Sequence, residues 1–221
     1  MFEKISWDKS GAEIETESFR IIDELVSNKI NQKFSNEEWH VVRRLIHTTA
    51  DFSIADDVKI RHNAIEVILS ALHDGATIIS DSNMIKSGIS VPKLQKFNQN
   101  YNRDAIKCFI SDEDVITTAK QKHRTRALAA VEKAFELNLL NGAIFLCGNA
   151  PLALAQLIKL IVEQDVKIRA IIGMPVGFVN VCESKELLKS ITVPHITIEG
   201  RRGGSPLAVA TLHGVMENEL N

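Results

Sequence analysis

The feature that most constrains this chain is a set of five short apolar runs, each followed by a polar turn that contains Gly, Asp or Asn. The runs are residues 76–80, 105–110, 143–147, 169–173 and 195–199. Amphipathic stretches of helical length separate them, and this alternation predicts parallel β-strands joined by helical crossovers. We therefore predict an α/β chain with a doubly wound, mainly parallel, five-stranded sheet in one domain that spans residues 1–221.

The turns after these runs are the candidate functional segments. In open parallel sheets, ligands bind outside the carboxyl ends of the strands. The turns are residues 81–84, 111–114, 148–151, 173–178 and 200–206. We expect them to line one site.

The first third of the chain has helical patterns. Apolar residues recur at near-helical spacing over residues 12–30. Ser35 and Glu38 then have the spacing of a capping box, which predicts a second helix as far as about Thr48. A third helix is expected over residues 63–73, with Gly75 as its left-handed terminating residue. These N-terminal helices, within residues 1–75, are expected to pack on an α/β core of residues 76–221.

Composition excludes several classes of protein. With 45% apolar residues and a formal charge of −2, the chain has no general attraction to nucleic acid or membranes. No run has the length of a membrane span and the start lacks the apolar core of a signal peptide, so we expect a cytoplasmic protein. The three cysteines lack CxxC spacing, which favours buried, reduced thiols. Nucleotide-binding and zinc motifs are also missing from the sequence.

Two Gly- and Ser-containing turns precede predicted helices and are candidate anion sites. The turn at 148–151 contains Asn149, and the turn at 203–206 contains Gly203, Gly204 and Ser205. Free backbone N–H groups at a helix N-terminus bind carboxylate or phosphate. The nearby cations are Arg201 and Arg202, together with Lys122, Arg124 and Arg126 on a long helix predicted from Ser111 to about Asn138. The alternative for any of these cations is a solvated surface position or a surface ion pair.

His47 is the candidate for proton transfer. It lies near the end of the second predicted helix, next to Thr48, Thr49 and Asp51, which offer hydroxyls and a carboxylate to fix its tautomer. A histidine stabilised by the helix dipole is the structural alternative. Cys147, at the end of the third run, is either a nucleophile or a core thiol.

Taken together, the turns and the His47 segment resemble the precorrin-8X methylmutase family of corrin biosynthesis. The similarity extends from about Ser18 to Val215. The matching segments are 46–52 (Ile-His-Thr-Thr-Ala-Asp-Phe), 79–84 (Ile-Ser-Asp-Ser-Asn-Met) with Gly88, 148–154 (Gly-Asn-Ala-Pro-Leu-Ala-Leu), 173–179 (Gly-Met-Pro-Val-Gly-Phe-Val) with 183–185 (Glu-Ser-Lys), and 200–206 (Gly-Arg-Arg-Gly-Gly-Ser-Pro).

The resemblance implies a dimeric isomerase of flavodoxin-like topology that needs no cofactor and holds no metal of its own. Members of the family move a methyl group from C-11 to C-12 of the macrocycle and form hydrobyrinate or its cobalt analogue. The substrate is an anionic tetrapyrrole, precorrin-8X or cobalt-precorrin-8, and any cobalt belongs to it. A histidine followed by two threonines is more similar to the cobalt-dependent branch of the family.

The resemblance also implies roles for single residues. His47 matches the essential histidine, which acts as a proton donor during a [1,5]-sigmatropic shift. Ser18, Ser90 and Arg126 match substrate-binding positions, whereas Glu15 replaces a family tyrosine. The remaining substrate-binding residues are expected at the strand-end turns, where they hold the acetate and propionate arms: Asn149, Arg201, Gly203, Gly204 and Ser205.

Two other functions remain open from the sequence. A non-catalytic tetrapyrrole carrier has the same arginines and glycine turns without turnover. A cysteine hydrolase that uses Cys147 is the second alternative.

Overall fold

The computed structural model describes residues 7–26, 30 and 32–220, and these form eleven α-helices and six β-strands. The strands are β1 (Val58–Arg61), β2 (Ile78–Ser80), β3 (Ile106–Lys107), β4 (Ile144–Cys147), β5 (Ala170–Gly173) and β6 (His195–Ile198). The helices are α1 (Gly11–Leu25), α2 (Asn36–Thr49), α3 (Ile54–Asp57), α4 (Ala64–His73), α5 (Asn83–Gly88), α6 (Val91–Gln95), α7 (Glu113–Gln121), α8 (Arg126–Glu136), α9 (Pro151–Gln164), α10 (Val181–Lys189) and α11 (Ser205–Leu220).

The six strands form one sheet in the order β1-β6-β5-β4-β2-β3. Strands β2 to β6 are parallel, and in chain order they have the 2-1-3-4-5 arrangement of flavodoxin-like folds. All five predicted strands are therefore confirmed, as is the doubly wound topology. The strand order reverses between β2 and β4, so the crevice typical of such folds lies where these two strands end.

The prediction of five strands was one short, because β1 forms an antiparallel edge strand on β6. It lies inside residues 1–75, where only helices were predicted. Its four residues alternate Val and Ile with Lys and Arg, which is typical of a short, charged edge strand but too brief a pattern to distinguish from a loop. The sheet therefore extends into the segment assigned to the N-terminal helices.

The long helix predicted after Ser111 was also wrong, because two helices form there. Asp112, rather than Ser111, is the N-cap of α7. The chain then turns through His123, which has a left-handed φ of 51°. The side chain of Thr125 accepts a hydrogen bond from the N–H of Leu128 and so starts α8. A capping hydroxyl within a helical pattern separates the two helices.

Helices cover both faces of the sheet, as the strand side chains require. In β4, Ile144 and Leu146 belong to one apolar core, while Phe145 and Cys147 belong to the other. The first core packs against α2, α4 and α11, and the second against α8 and α9. Fully buried parallel strands of this kind need apolar residues at every position, which is why they appear as continuous apolar runs.

The N-terminal helices form where they were predicted, α1 with an earlier end and the helices at 36–49 and 64–73 within one residue of their predicted bounds. Helix α1 ends at Leu25, whereas the prediction extended to residue 30. Residues 27–29 of the predicted segment, and residue 31 after it, lie outside the described residues. Gly75 has a φ of +73° and follows α4, as expected. Helix α2 packs on α11 so closely that a Cβ at Gly214 would lie 2.8 Å from Cα of Val41. This contact joins α2, which carries His47, to the last helix of the α/β core.

Candidate active site

His47 lies in the last turn of α2, and local hydrogen bonds define both ends of that helix. At its start, the Ser35 hydroxyl accepts from the N–H of Glu38, and the Glu38 carboxylate accepts from the N–H of Ser35. This confirms the predicted capping box. At its end, Ala50 has a left-handed φ of 52°. The His47 side chain is half-buried at the point where the chain leaves the helix.

The partner of His47 comes from a different helix. The hydroxyl of Ser18, on α1, lies 2.8 Å from Nδ1 of His47. The ring of Phe19 contacts the imidazole edge to face, with the ring centroids 5.3 Å apart. Nε2 of His47 has no hydrogen-bond partner among the described residues. The two residues that the family resemblance brought together are therefore in direct contact, and one ring nitrogen remains free.

The groups expected to fix the His47 tautomer from the local sequence have other partners. The hydroxyls of Thr48 and Thr49 donate to carbonyl oxygens one turn back in α2. The Asp51 carboxylate forms an ion pair with Arg202, with Nη1 and Oδ2 2.8 Å apart. That local prediction was wrong, because hydroxyls near the end of a helix bond most readily to the carbonyls of their own helix.

Two clefts meet at His47. One, of about 500 Å³, lies between α1 and α2 and is mainly apolar. Its side chains include Ile14, Ile21 and Leu25 of α1, together with Ser18. The other, of about 580 Å³, opens at the carboxyl ends of β2 and β6, and its lining is Arg44, His47, Thr48, Met84, Gly88, Ser205, Pro206, Val209, Ala210 and His213. We call this second space the His47 cleft.

A buried ion pair borders the His47 cleft. Arg44 pairs with Glu217 of α11 and with Glu15 of α1, the latter at 2.9 Å between Nη2 and Oε1. Burial raises the pKa of Glu217, against the opposing effect of Arg44. Burial also acts to raise the pKa of Glu15, but Arg44 outweighs it and the pKa lies below its usual range. Glu15, for which the resemblance implies a family tyrosine, therefore shares Arg44 with Glu217.

Ser90 reaches the His47 cleft through its backbone. Its N–H donates to Nε2 of His213, at 3.2 Å, and His213 lines the cleft. The Ser90 hydroxyl accepts from the N–H of Lys93 and caps α6. Burial, together with the cations Lys93 and Arg44, lowers the pKa of His213 to about 4. Sequence reasoning missed His213, because one histidine within an otherwise apolar helix gives no signal of its own.

Arg126 and Asn149 line a third cleft, of about 400 Å³. Arg126 is the first residue of α8 and is exposed, and Asn149 is exposed in the turn after β4. The lining of this Arg126 cleft has no residue in common with the two clefts at His47. Within one chain, the predicted site residues therefore form two groups instead of one site.

The backbone N–H groups of the 148–150 turn are occupied within the protein. The Asp81 carboxylate accepts from the N–H groups of Gly148, Asn149 and Ala150, at 3.0, 2.8 and 2.7 Å. Asp81 is 2% exposed, and burial raises its pKa while the three N–H donors oppose that shift. The expectation that this turn offers free N–H groups to a ligand was wrong, because a carboxylate from the turn after β2 fills that position.

The 203–205 turn packs closely against the backbone at Met174. A Cβ at Gly203 would lie 2.3 Å from the carbonyl oxygen of Met174. Gly204 has a φ of +131°, and its N–H donates to the same oxygen at 2.8 Å. The hydroxyl of Ser205 lies 2.8 Å from that of Ser82. Among the described residues, the N–H groups of Gly203 and Ser205 have no hydrogen-bond partner.

The two arginines of the last turn differ in their partners. Arg202 forms ion pairs with Asp51 and Asp57, at 2.8 and 2.6 Å. Arg201 is exposed and its guanidinium lies over the Phe178 ring, 5.8 Å from the centroid. Arg126 and Arg201 have no carboxylate partner among the described residues, whereas Arg124 pairs with Glu132. Of the five candidate cations, Arg126, Arg201 and Lys122 therefore have no carboxylate partner among the described residues, and Arg126 and Arg201 lie nearest to these turns.

Cys147 does not have the surroundings of a nucleophile. It is fully buried, and burial raises the pKa of its thiol well above the ordinary value. Two acceptors lie within reach of its single S–H, the Asp81 carboxylate at 3.4 Å and the carbonyl of Ala150 at 3.2 Å. Cys108 and Cys182 are partly exposed free thiols, so burial of all three cysteines was wrong. The hydrolase alternative lacks a reactive thiol at Cys147.

A larger groove, of about 930 Å³, lies away from His47, between the start of α2 and α4. Five carboxylates border it: Glu37, Glu38, Glu66, Asp74 and Glu219. That lining repels an anionic ligand. The part of the chain that the structure describes contains no group of three or more His, Cys, Asp or Glu side chains arranged to hold a metal ion. Within the same residues, we find no helix with the length and hydropathy of a membrane span.

The fold and the site define an α/β protein of flavodoxin-like topology with a serine-bound histidine in a cleft at the strand ends. The chain belongs to the precorrin-8X methylmutase family, whose model, described as Precorrin-8X methylmutase, matches residues 13–218. Methylmutases are isomerases, and the predicted class of enzyme is therefore confirmed.

Relatives and solved structures agree with this assignment. A cobalt-precorrin-8 methylmutase of Leptospira interrogans is 44% identical over 213 residues, covering 93% of each chain. A precorrin-8X methylmutase of Pseudomonas aeruginosa is 33% identical and covers 78% of this chain and 80% of its own. The crystal structure of a precorrin-8X methylmutase from Thermus thermophilus superposes with a TM-score of 0.82 at 41% identity, covering 94% of this chain and 95% of that one.

Proposed function

We propose that this protein moves a methyl group from C-11 to C-12 of a precorrin-8 macrocycle, with His47 as the proton donor. The product is hydrobyrinate or its cobalt analogue, an intermediate of cobalamin biosynthesis. The observation that carries this proposal is the contact between Ser18 and Nδ1 of His47, which leaves Nε2 free beside the cleft at the strand ends.

The proposed reaction is an isomerisation in which no atom is gained or lost. The methyl group migrates with its bonding electrons, so the bond to C-11 breaks as the bond to C-12 forms and the conjugated double bonds shift. A protonated imidazole carries hydrogen on both nitrogens. Nδ1–H then donates a hydrogen bond to Ser18, while Nε2 transfers its proton to the macrocycle and so polarises it for the methyl shift. The proton returns to His47 when the product forms.

The side arms of the substrate require cations. The acetate and propionate groups of the macrocycle are carboxylates, and charge-assisted hydrogen bonds to Arg hold such groups well. Arg126 and Arg201 are exposed and have no carboxylate partner among the described residues. We assign them to these arms, together with Asn149, the free N–H groups of Gly203 and Ser205, and the adjoining Gly204.

The substrate we propose is the cobalt-containing macrocycle. Among the curated relatives, those named cobalt-precorrin-8 methylmutase reach 44% identity and those named precorrin-8X methylmutase reach 33%. The Thermus thermophilus structure named precorrin-8X methylmutase is 41% identical, so identity favours the cobalt form only slightly. The cobalt ion enters with the substrate, and we propose no cofactor of the protein itself.

A homodimer with shared sites would unite the two groups of site residues. Ile14 and Leu25 of α1 are 50% and 67% exposed, and Phe178 and Val179 near the Arg126 cleft are 88% and 74% exposed. Exposed apolar residues of this kind mark association surfaces. In the proposed dimer, an N-terminal helix from one subunit completes the pocket of the other.

The test measures the conversion of each macrocycle by absorption spectroscopy. Purified protein should convert cobalt-precorrin-8 faster than precorrin-8X. His47→Ala and the near-isosteric His47→Asn should each reduce the rate by about 10²–10⁴-fold, since both remove the proton. His123→Asn is a matched control, because His123 is exposed and its left-handed φ of 51° suits Asn.

Two outcomes would contradict the proposal. Ordinary turnover by a folded His47→Ala protein would remove His47 from the mechanism. Binding of both macrocycles by the wild-type protein without any conversion would favour the tetrapyrrole carrier.

A further inference from the structure

We infer that His213 binds substrate as a neutral hydrogen-bond donor, with its Nδ1–H directed to an oxygen of the macrocycle in the His47 cleft. The inference rests on the proposed function, because it places this side chain in the same pocket as His47. The acceptor it fits is a carboxylate or carbonyl oxygen of a side arm.

The tautomer of His213 follows from its hydrogen bond to Ser90. A backbone N–H can only donate, so Nε2 of His213, 3.2 Å from the Ser90 nitrogen, is an acceptor and carries no hydrogen. A neutral imidazole has one N–H. The hydrogen of His213 is therefore on Nδ1, and this nitrogen is a donor.

The charges around His213 keep it neutral. Arg44 faces it from α2 and Lys93 from α6, and Glu15 of α1 has the opposite effect. Glu217, on the same helix α11 as His213, is paired with Arg44. Burial is the largest cause of the lowered pKa, and the two cations add to it. At neutral pH the residue has one donor and no charge to attract a counter-ion.

Nδ1 of His213 is free and accessible. It has no hydrogen-bond partner among the described residues. It is also not one of their fully buried, unpartnered polar atoms, so part of its surface is accessible. His213 lines the His47 cleft, whose other side chains are mostly apolar or small. A donor that is fixed in orientation, partly buried and without a protein acceptor gains most from an oxygen of the ligand.

The two imidazoles of this cleft then have different tasks. His47 is bonded to a hydroxyl, which can donate or accept, so its ring can gain and lose a proton. His213 is bonded to an N–H, which fixes one tautomer. We assign proton transfer to His47 and substrate orientation to His213.

A pair of variants separates substrate binding from a purely structural role. In His213→Gln, the amide oxygen can take the place of Nε2 and accept from Ser90, but the donor at the Nδ1 position is lost. In His213→Asn, the shorter amide can place its NH₂ near the Nδ1 position, but the Ser90 N–H loses its acceptor. We expect the dissociation constant of hydrobyrinate to rise about 10-fold in the Gln variant and to change by less than about 3-fold in the Asn variant.

Stability should follow the opposite order, with Asn less stable than Gln because an N–H is left unpaired. Wild-type affinity in His213→Gln together with weak binding in His213→Asn would overturn the inference in favour of a structural role. Both variants should keep a measurable rate, since His47 is intact. A wild-type protein that binds no macrocycle would overturn both this inference and the proposed function, whereas normal turnover with an unaffected Gln variant would overturn this inference alone.

If either variant fails to fold, the wild-type protein provides the test. With ¹⁵N-labelled histidine, Nε2 of His213 should have the chemical shift of an unprotonated nitrogen and Nδ1 that of a protonated one. Addition of hydrobyrinate should shift the Nδ1 signal. The reverse tautomer, or an Nδ1 signal unchanged at saturation, would refute the assignment.

Discussion

The Ser18 hydroxyl lies 2.8 Å from Nδ1 of His47, although the two residues are 29 positions apart. Each comes from its own capped helix, because Ser10 starts α1 and Ser35 starts α2 through the same type of capping box. The docking of α1 on α2 therefore sets the orientation of the proposed proton donor. An N-terminal helix that is no part of the parallel crossovers contributes directly to the site.

Removal of this hydroxyl should slow the reaction moderately. In Ser18→Ala, the imidazole loses one net hydrogen bond of about 0.5–1.5 kcal/mol, which corresponds to a rate roughly 2–10-fold lower. We expect kcat to fall more than the affinity for hydrobyrinate. Thr16→Ala is the matched control, since among the described residues the Thr16 hydroxyl bonds only to the carbonyl of Ala12 in the same helix. Equal rates in the two variants would show that Ser18 does not position His47.

Asp81 should be essential for stability. It fills the crevice between β2 and β4 with a carboxylate that accepts three backbone N–H groups. In Asp81→Ala those donors are left buried without an acceptor, at about 1–3 kcal/mol each, and relaxation of the turn limits the total to about 3–5 kcal/mol. Urea unfolding should show this loss of stability. The free energy of unfolding of Asp81→Asn should lie between those of Asp81→Ala and the wild type.

The control for this measurement is Asp104→Ala, because the Asp104 side chain is exposed and has no partner among the described residues. It should change the free energy of unfolding by less than about 0.5 kcal/mol. An Asp81→Ala protein as stable as this control would mean that water satisfies the three N–H groups.

Some elements of this fold have a local sequence pattern and others do not. The five parallel strands could be predicted because strands buried on both faces need continuous apolar runs. Strand β1 could not, since its four residues alternate apolar and charged side chains and lack such a run. The break before Thr125 depends on one capping hydroxyl within a helical pattern, and helix propensity alone does not detect it.

The site was harder to predict than the fold, because its contacts join residues distant in sequence. The Ser18 position came from the resemblance to a family and not from its local pattern. Asp81 lies in a turn that was identified, but its role as the acceptor for the 148–150 turn depends on the neighbouring positions of β2 and β4 in the sheet. His213 became visible only when α11 was placed beside α6.

The buried Lys185 should give the stability of the protein an unusual pH dependence. It is 1% exposed, and its Nζ donates to the carbonyl oxygens of Gly200 and Arg202, which holds the last turn in place. Burial lowers its pKa to about 8 from 10.5. The folded protein therefore releases this proton at lower pH than the unfolded chain, so the stability contributed by this group rises between about pH 8 and 10.5.

The measurement compares wild-type protein with Lys185→Met by urea unfolding at pH 7.5 and pH 10. The wild type should gain stability relative to the variant by on the order of 2 kcal/mol between these two pH values, from 1.36 kcal/mol for each pKa unit. A difference that is constant with pH, or that changes in the opposite direction, would mean that Lys185 titrates normally in the folded protein.

The last prediction concerns the proposed dimer. His47 and Arg126 line clefts that have no residue in common, and we propose that the macrocycle occupies both. Arg126→Ala should weaken binding by about 1.5–3 kcal/mol if it holds one arm. Sedimentation at low micromolar concentration should give about twice the chain mass of 24.6 kDa. Phe178→Asp should lower that mass if the exposed ring lies in the interface.

Mixing His47→Ala with Arg126→Ala, at a substrate concentration too low for the weakened binding of the Arg126→Ala protein, tests whether the sites are shared. If His47 and Arg126 serve one pocket from different subunits, a mixed dimer of His47→Ala and Arg126→Ala chains contains one intact pocket and one with both defects. Activity should then return, up to about one quarter of the wild-type rate per chain, because half of randomly mixed dimers are mixed and each has one working site of two. If both residues serve a pocket from the same chain, every pocket keeps a defect and mixing restores nothing. A stable monomer with full activity would also refute shared sites.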